Sequence, residues 1–561
     1  MLSQGLRAFY DRSPMREGVL CWYPFAAGAK VLDMSGGALS ALLQSRCGRV
    51  VSSDDYIDGD KGFDYVVVID PADYRLEALR GLRSALHDHG RLLLAYENPF
   101  ALRYWSGKPS PLTGLAYDSL YGRDGRPSAA ALRLSLAQAG FGGQKWYYPL
   151  TDHWFAREVY SEDYLPDEYL GQRFVPYLDD DGAAMFDERP LYREAIRGGA
   201  FPFLCGAYLV EARADGADAP CPVDYAAVTA YRAPAKRFAT IVRNDGTVHK
   251  SPLHEDGRET AKAILHNHEA LARMGVPVTQ LRAEGDALVM PRYETPTLWG
   301  YWARKLTEGS FDAEEMLRHY DQIVDAIHKA AADGDCYWEL VPANCFYDEQ
   351  SGGLLFFDQE YRWEGYPPEA AVARAVMAAR YSPALSADPR SAEWMETLIQ
   401  RYGLADRWDA LEAQVKRATA EVFGGGAEAL AEATRVAAEG IASTRRRARF
   451  QPVPGKLREL GYRRPAIYGY GRRGKDLAQV MGNAGMEPAA IIDEHLAQYP
   501  GIEALGEARG AEGPGTATEA GLDVDVVVVS VLDSEGIVAE LKRMTSLPVY
   551  ALEALLDESD G

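Results

Sequence analysis

Residues 339–360 read ELVPANCFYDEQSGGLLFFDQE. An acid, Glu339, stands five residues before an amide, Asn344, and Asp358 follows 14 residues later at the end of an apolar run. Phosphoryl transfer asks few things of a protein: a cation on the nucleotide phosphates, oxygen ligands for a metal, and an acid beside the attacking hydroxyl. Carboxylate and amide oxygens suit Mg²⁺. Asn344 and Asp358 are therefore the expected metal ligands and Glu339 the expected catalytic acid. The run LLFFD predicts a short hairpin strand leading into Asp358.

The sequence before this stretch supplies the missing cation. RFATIVRNDGTVHKSPL (237–253) reads as two strands and a turn, with Lys250 inside the second strand, where it would hold the α- and β-phosphates of ATP. The following helical pattern, ETAKAILHNHEALARM (259–274), offers Glu259 or Glu269 as its partner, and Glu259 is preferred. LVMPRYE (288–294) suits a hinge strand against adenine. Glu360 and Glu364 read as solvated, with Glu360 able to approach the metal, and His328 as a helix-surface or core residue. In order and spacing, the stretch resembles a protein-kinase catalytic loop and metal loop. It is most similar to the kinase domain of bacterial surface-polysaccharide (O-antigen type) methyltransferase–kinase proteins, and more distantly to aminoglycoside phosphotransferases. Roughly residues 230–385 carry this resemblance. Two departures stand out: Glu339 replaces the usual Asp, and YRAPAKRF (231–238) holds no glycine to cover the phosphates.

At the other end of the chain, AIYGYGRRGKDLAQVM (466–481) is a strand, a turn with Gly469, Gly471 and Gly474, and a helix. Asp493 ends the next strand, 19 residues past Gly474. The first glycine permits the turn, the second lets backbone approach a phosphate, and the third lets helix pack on strand; the acid suits a ribose hydroxyl. This predicts a Rossmann-like domain over 457–561, with NAD or a nucleotide-sugar as its ligand. It resembles the small domains appended to bacterial sugar-modifying enzymes.

Near the N-terminus, VLDMSGGALSALL (31–43) places a strand before a glycine loop, and RVVSSDD, FDYVVVI and RLLLAYENP supply further strands. With YDRSPMREGVLCWYPF, ENPFALRYWSG and FPFLCGAYLVE, this region resembles the class I methyltransferase domain of the same O-antigen family, over roughly 9–213. The resemblance implies S-adenosylmethionine contacts from Asp33, Gly36, Gly37 and Asp54. Ser35 takes the first glycine position and one helix–strand unit is missing before FDYVVVI, so the domain reads as degenerate. Tyr96, Glu97 and Asn98 fall where a strand ends, the usual place for ligand contacts in an open α/β sheet.

The 561 residues suffice for three or four domains. The expected fold is multidomain, mixed α/β and α+β: a methyltransferase-like Rossmann domain (1–213), a protein-kinase-like domain (222–385), a helical extension (386–449) and the C-terminal Rossmann-like domain. RADGADAPCP (213–222) and QPVPGK (451–456) read as linkers, and the glycines at 424–426 as a helix break. A net charge of -22 argues against nucleic acid, which needs clustered Lys and Arg; the short basic run at 444–449 reads as a polar helix end. The six cysteines form no CxxC, which fits reduced thiols and a cytoplasmic setting. No window reaches the length of a transmembrane segment. The leading expectation is a transferase of surface-glycan synthesis whose kinase-like site acts on a sugar hydroxyl of a glycan acceptor. A sugar methyltransferase with a kinase-fold appendage stays open. So does a non-catalytic scaffold for a glycosyltransferase or other glycan-assembly complex.

Overall fold

The computed structural model describes residues 14–57, 59–173, 186, 188–214, 219–230, 232–331, 334–382, 385, 388–423, 439, 442–443, 446–493, 524–532 and 534–556. The glycines at 424–426, positions 215–218 of the first linker and positions 444–445 of the basic run lie outside them. The chain is a mixed α/β, multidomain protein.

Four strands open the main sheet: β1 (Lys30–Met34), β2 (Arg49–Ser52), β3 (Phe63–Ile69) and β4 (Leu86–Glu97). They run parallel in the order β2-β1-β3-β4. Their β-branched and leucine-rich sequences are buried on both faces. Val66, Val68, Leu92 and Leu94 join one core, and Tyr65, Val67, Leu93 and Ala95 the other. Such two-sided burial is what a parallel sheet covered by helices requires. β2 stands at the edge of the sheet.

The same sheet continues antiparallel through β5 (Gly143–Leu150), β6 (Glu158–Ser161), β7 (Ala207–Arg213) and β8 (Val223–Val228). It then takes in β9 (Phe238–Arg243), β10 (Thr247–Pro252), β11 (Arg282–Glu284) and β12 (Ala287–Pro291). The full order is β11-β12-β10-β9-β8-β6-β5-β7-β4-β3-β1-β2, twelve strands. The loop 213–222 thus joins two strands of one sheet. Val159 pairs with Ala226 across the β6–β8 rung.

Past β12, the helices Leu298–Thr307, Ala313–Ala330, Pro368–Tyr381, Ser391–Arg401 and Trp408–Phe423 close around Trp302, Tyr320 and Trp338. Two hairpin-like pairs sit against them: β13 (Asp335–Tyr337) with β16 (Arg362–Glu364), and β14 (Cys345–Asp348) with β15 (Gly353–Phe356). The expected strand into Asp358 is β15.

QPVPGK is not an irregular linker. Pro452–Glu459 is a helix with both prolines in its first turn. There the missing N–H groups have no intrahelical partner to lose, so proline is tolerated. Val453 and Leu457 then bury one face in the C-terminal core. Among the described residues, that last unit has four parallel strands, β17 (Pro465–Tyr468), β18 (Ala490–Ile492), β19 (Val526–Val529) and β20 (Val549–Ala551), ordered β18-β17-β19-β20. Among the described residues, no helix is long and apolar enough to cross a membrane.

Candidate active site

Three separated pieces of chain meet beside β10. Lys250 lies within that strand, opposite Leu288 of β12. Its ammonium donates to Asp358 and to Glu360. Asp358 has a positive φ of 57°, a conformation a non-glycine residue holds only when its surroundings fix it. The backbone of Asn344 accepts a hydrogen bond from Phe357 N–H (3.0 Å), so the two expected metal ligands are held side by side. Asn344 Nδ2 in turn donates to Glu339 Oε2 (2.6 Å). With its nitrogen turned to Glu339, the amide oxygen is the atom left to face a cation.

Charge sets the character of these groups. Burial alone would lower the Lys250 pKa, but Asp358 and Glu360 outweigh it and raise it, so Lys250 is a firm cation. Burial would raise Glu360; Lys250 and then Arg232 overcome this and hold it ionised. Glu339 is different. Burial pushes its carboxyl up to about 7, Arg374 opposes this, and the negative Glu360 and Asp358 add to it. A carboxyl poised near neutrality can take and return a proton.

A half-buried aromatic floor leads away from this cluster. Tyr293, just after β12, stacks on Phe346 at 5.2 Å between ring centroids, and Phe346 lies 4.6 Å from Phe357. It runs from the expected hinge to the residue preceding Asp358. The oxygen donors fit a hard divalent cation. Among the described residues, no group of three or more His, Cys, Asp or Glu could hold a metal alone. Asp358 and Asn344 are the residues that would hold such an ion.

Some expectations need correction. Glu259 is not the partner of Lys250: it lies exposed in the first turn of the helix Gly257–Arg273 and pairs with Lys262. The helix buries Thr260, Ile264, Asn267, His268 and Leu271, a 3.6-residue stripe that excludes both Glu259 and Glu269. Glu360 is not solvated; it is 8% exposed and bound on both sides. Glu364 and His328 are exposed, as read. The sequence reading missed Arg232, whose Nη1 donates to Glu360 Oε2 (3.0 Å). Glu360 is brought beside Lys250 by the turn at Asp358, where φ is positive and Glu360 N–H bonds the Asp358 carbonyl (3.1 Å), a geometry the sequence does not display.

At the N-terminal glycine loop, Asp33 is buried and already engaged. Its carboxylate accepts from Ser35 N–H (2.8 Å), from Ser35 Oγ (2.5 Å) and from Ser40 Oγ. Gly36 and Gly37 both take positive φ, and space beside Gly36 is open. Asp54 stands exposed on the turn after β2. Glu97 ends β4 in a buried network with Arg103 (2.8 Å) and Arg126 (2.5 Å), while Asn98 caps backbone carbonyls of Phe203 and Cys205.

In the C-terminal turn, Gly469 has φ 86°, Gly471 precedes the helix Arg472–Asn483, and a Cβ on Gly474 would lie 2.1 Å from the Gly469 carbonyl oxygen. The turn at Gly469 and the close helix–strand approach at Gly474 are as read. Asp493, expected on a ribose, accepts from the Tyr470 backbone N–H of the turn itself.

No protein-family model and no curated protein matches the chain. Among solved structures, a geranyl diphosphate methyltransferase in complex with GPP and sinefungin aligns at 12% identity, covering 37% of this chain and 78% of its own, with a TM-score of 0.20. So loose a superposition carries no argument about fold or activity.

Proposed function

We propose that this protein is a phosphotransferase of bacterial surface-glycan synthesis, related to the O-antigen methyltransferase–kinase proteins, that uses ATP and Mg²⁺ to phosphorylate a sugar hydroxyl. One observation supports it above the rest. Lys250 bonds Asp358 from a separate stretch of chain, and the backbone of Asn344, whose side chain bonds Glu339, is bonded to Phe357 beside Asp358. In this reading Lys250 holds the nucleotide phosphates, Asn344 and Asp358 hold the metal, and Glu339 accepts the proton of the attacking hydroxyl. Bound Mg²⁺ would supply charge neutralisation on the phosphates. The protein's own part is to orient the hydroxyl at Glu339 and to keep Asp358 in its left-handed backbone conformation. The test is transfer of γ-phosphate from Mg-ATP to candidate glycans. Transfer that disappears in Asp358→Ala supports the reading, and absence of transfer to any glycan overturns it.

A second reading, S-adenosylmethionine-dependent transfer at the N-terminal sheet, draws on the open space beside Gly36, where a ligand can approach backbone. The engagement of Asp33 by Ser35 and Ser40 places it second. Isothermal titration with S-adenosylmethionine decides it: heat of binding that vanishes in Gly36→Val supports the site, and no heat removes it.

A further inference from the structure

In a phosphotransferase whose lysine is set by a helix-borne acid, movement of that helix can switch the site off. Here the helix Gly257–Arg273 brings no acid to Lys250. Glu259 and Glu269 point to solvent. The residue the helix turns toward the metal loop is Asn267, and its Nδ2 donates to the Gln359 carbonyl (3.1 Å). Gln359, 1% exposed, donates from Nε2 to Glu339 O (3.1 Å), which ties the loop to that stretch, and to Phe357 O (2.8 Å) within the loop itself. Asp358 and Glu360 face Lys250 together. The Glu360 side chain, 6% exposed, gives one oxygen to Lys250 and the other to Arg232. The result is a chain of alternating charge, Arg232–Glu360–Lys250–Asp358.

We infer that Glu360 is the positioning residue for Lys250 and that Arg232 positions Glu360, so the lysine is set by the metal loop and not by the helix. This rests on the nucleotide reading proposed above. It has a regulatory consequence. The helix reaches the lysine only indirectly, through Asn267 and the Gln359 carbonyl, whereas the segment carrying Arg232 bonds Glu360 itself. That segment follows β8, the strand paired to β6 of the N-terminal sheet. Arg232 thereby adds a side-chain link to the N-terminal strands beside the β10–β9–β8 ladder that already carries Lys250.

The experiment uses the full chain and two readouts: Mg-ATP binding by isothermal titration, and the rate at which an N-hydroxysuccinimide ester acylates Lys250, followed by peptide mass mapping. Removing one partner of a charged hydrogen bond predicts that Glu360→Gln weakens Mg-ATP binding about tenfold or more and speeds Lys250 acylation by a similar factor. Arg232→Gln shifts both readouts in the same direction. Glu259→Ala and Glu269→Ala leave both unchanged. Should Glu360→Gln fail to fold, Glu360→Asp keeps the charge, withdraws it from Lys250, and is read the same way. Unchanged binding and acylation in the Glu360 variants, or loss of binding in Glu259→Ala or Glu269→Ala, overturns the inference. If the wild type binds no Mg-ATP, the nucleotide reading falls; the acylation rate then judges the anchor alone, and an unchanged rate in Glu360→Gln overturns it.

Discussion

Glu339 is the residue where burial and chemistry pull together. Its carboxyl rises to about 7 because burial disfavours the anion. In the unfolded chain it would ionise near the ordinary value of 4.5. Between those two values the folded protein binds more protons than the unfolded one, so this group's contribution to stability falls as pH rises from about 4.5 to 7. Two and a half pKa units correspond to about 3 kcal/mol at full burial, and partial contact with water reduces this to about 2 kcal/mol. Glu339→Gln keeps an oxygen for Asn344 and has no proton to lose. Denaturant titrations should therefore show the variant gaining on the wild type by about 2 kcal/mol between pH 4 and pH 8. An identical pH slope in both proteins would remove the raised carboxyl from the account. In phosphoryl transfer the same group predicts a wild-type rate that climbs through pH 7, because the base must be unprotonated to act, and a Glu339→Gln rate that stays flat. The grouping of Glu339, Asn344 and Asp358 was legible because all three fall within one short stretch of chain that folds back through a single hairpin. The partner of Lys250 was not, because two glutamates on one helix look alike until the buried stripe through Asn267 shows which face is inside.

At the scale of elements, glycine and proline were read by two rules, and one was applied too broadly. The rule that glycine marks close approach held in the C-terminal turn. Gly474 has no room for a methyl group against the Gly469 carbonyl. Gly474→Ala must push the helix Arg472–Asn483 off β17, and overpacking of this kind costs about 3 kcal/mol. Gly455 provides the contrast. It sits inside the helix Pro452–Glu459 with open space where its Cβ would be, so Gly455→Ala should stabilise by about 0.5–1 kcal/mol through helix propensity. Calorimetric melting should move in opposite directions for the two variants; a shared direction would mean the glycine turn is not closed as described. The rule that proline and glycine end helices failed at 451–456. Two prolines in the first turn cost no hydrogen bond, and only the burial of Val453 and Leu457, a tertiary fact, shows that the segment starts a helix.

At the scale of the molecule, the twelve-stranded sheet makes a specific demand on any attempt to divide the chain. Composition placed a linker at 213–222, since Pro, Gly and Asp crowd there, and a loop between strands of one sheet has the same composition as a loop between domains. What sequence cannot display is the traffic across that loop. Tyr147 Oη–H donates to Val223 O (3.1 Å), Cys221 N–H donates to the buried Glu211 (3.1 Å), and Val228 N–H donates to Arg157 O (2.7 Å). Lys145, with 3% of its side chain exposed, bonds Asp224 (2.9 Å) and the Cys221 carbonyl (3.1 Å). A fragment ending at residue 213 uncovers β6 as a new edge strand. It also leaves the Lys145 ammonium with the exposed Asp163 as its remaining acidic partner. Unpaired edges invite association between copies, and a buried charge stripped of its partner costs about 3–5 kcal/mol. Size-exclusion chromatography should therefore find residues 1–213 alone in aggregates, and find them as a stable one-to-one complex when coexpressed with 219–561. In the intact chain, Asp224→Ala should lower the unfolding free energy by about 3 kcal/mol, and Lys145→Met together with Asp224→Ala should recover most of it, since removing both charges leaves none uncompensated. A monomeric 1–213 fragment that melts as it does in the full chain would show the two halves to be independent units sharing only a backbone rung. In that case Arg232 would have no route by which to report on the N-terminal sheet.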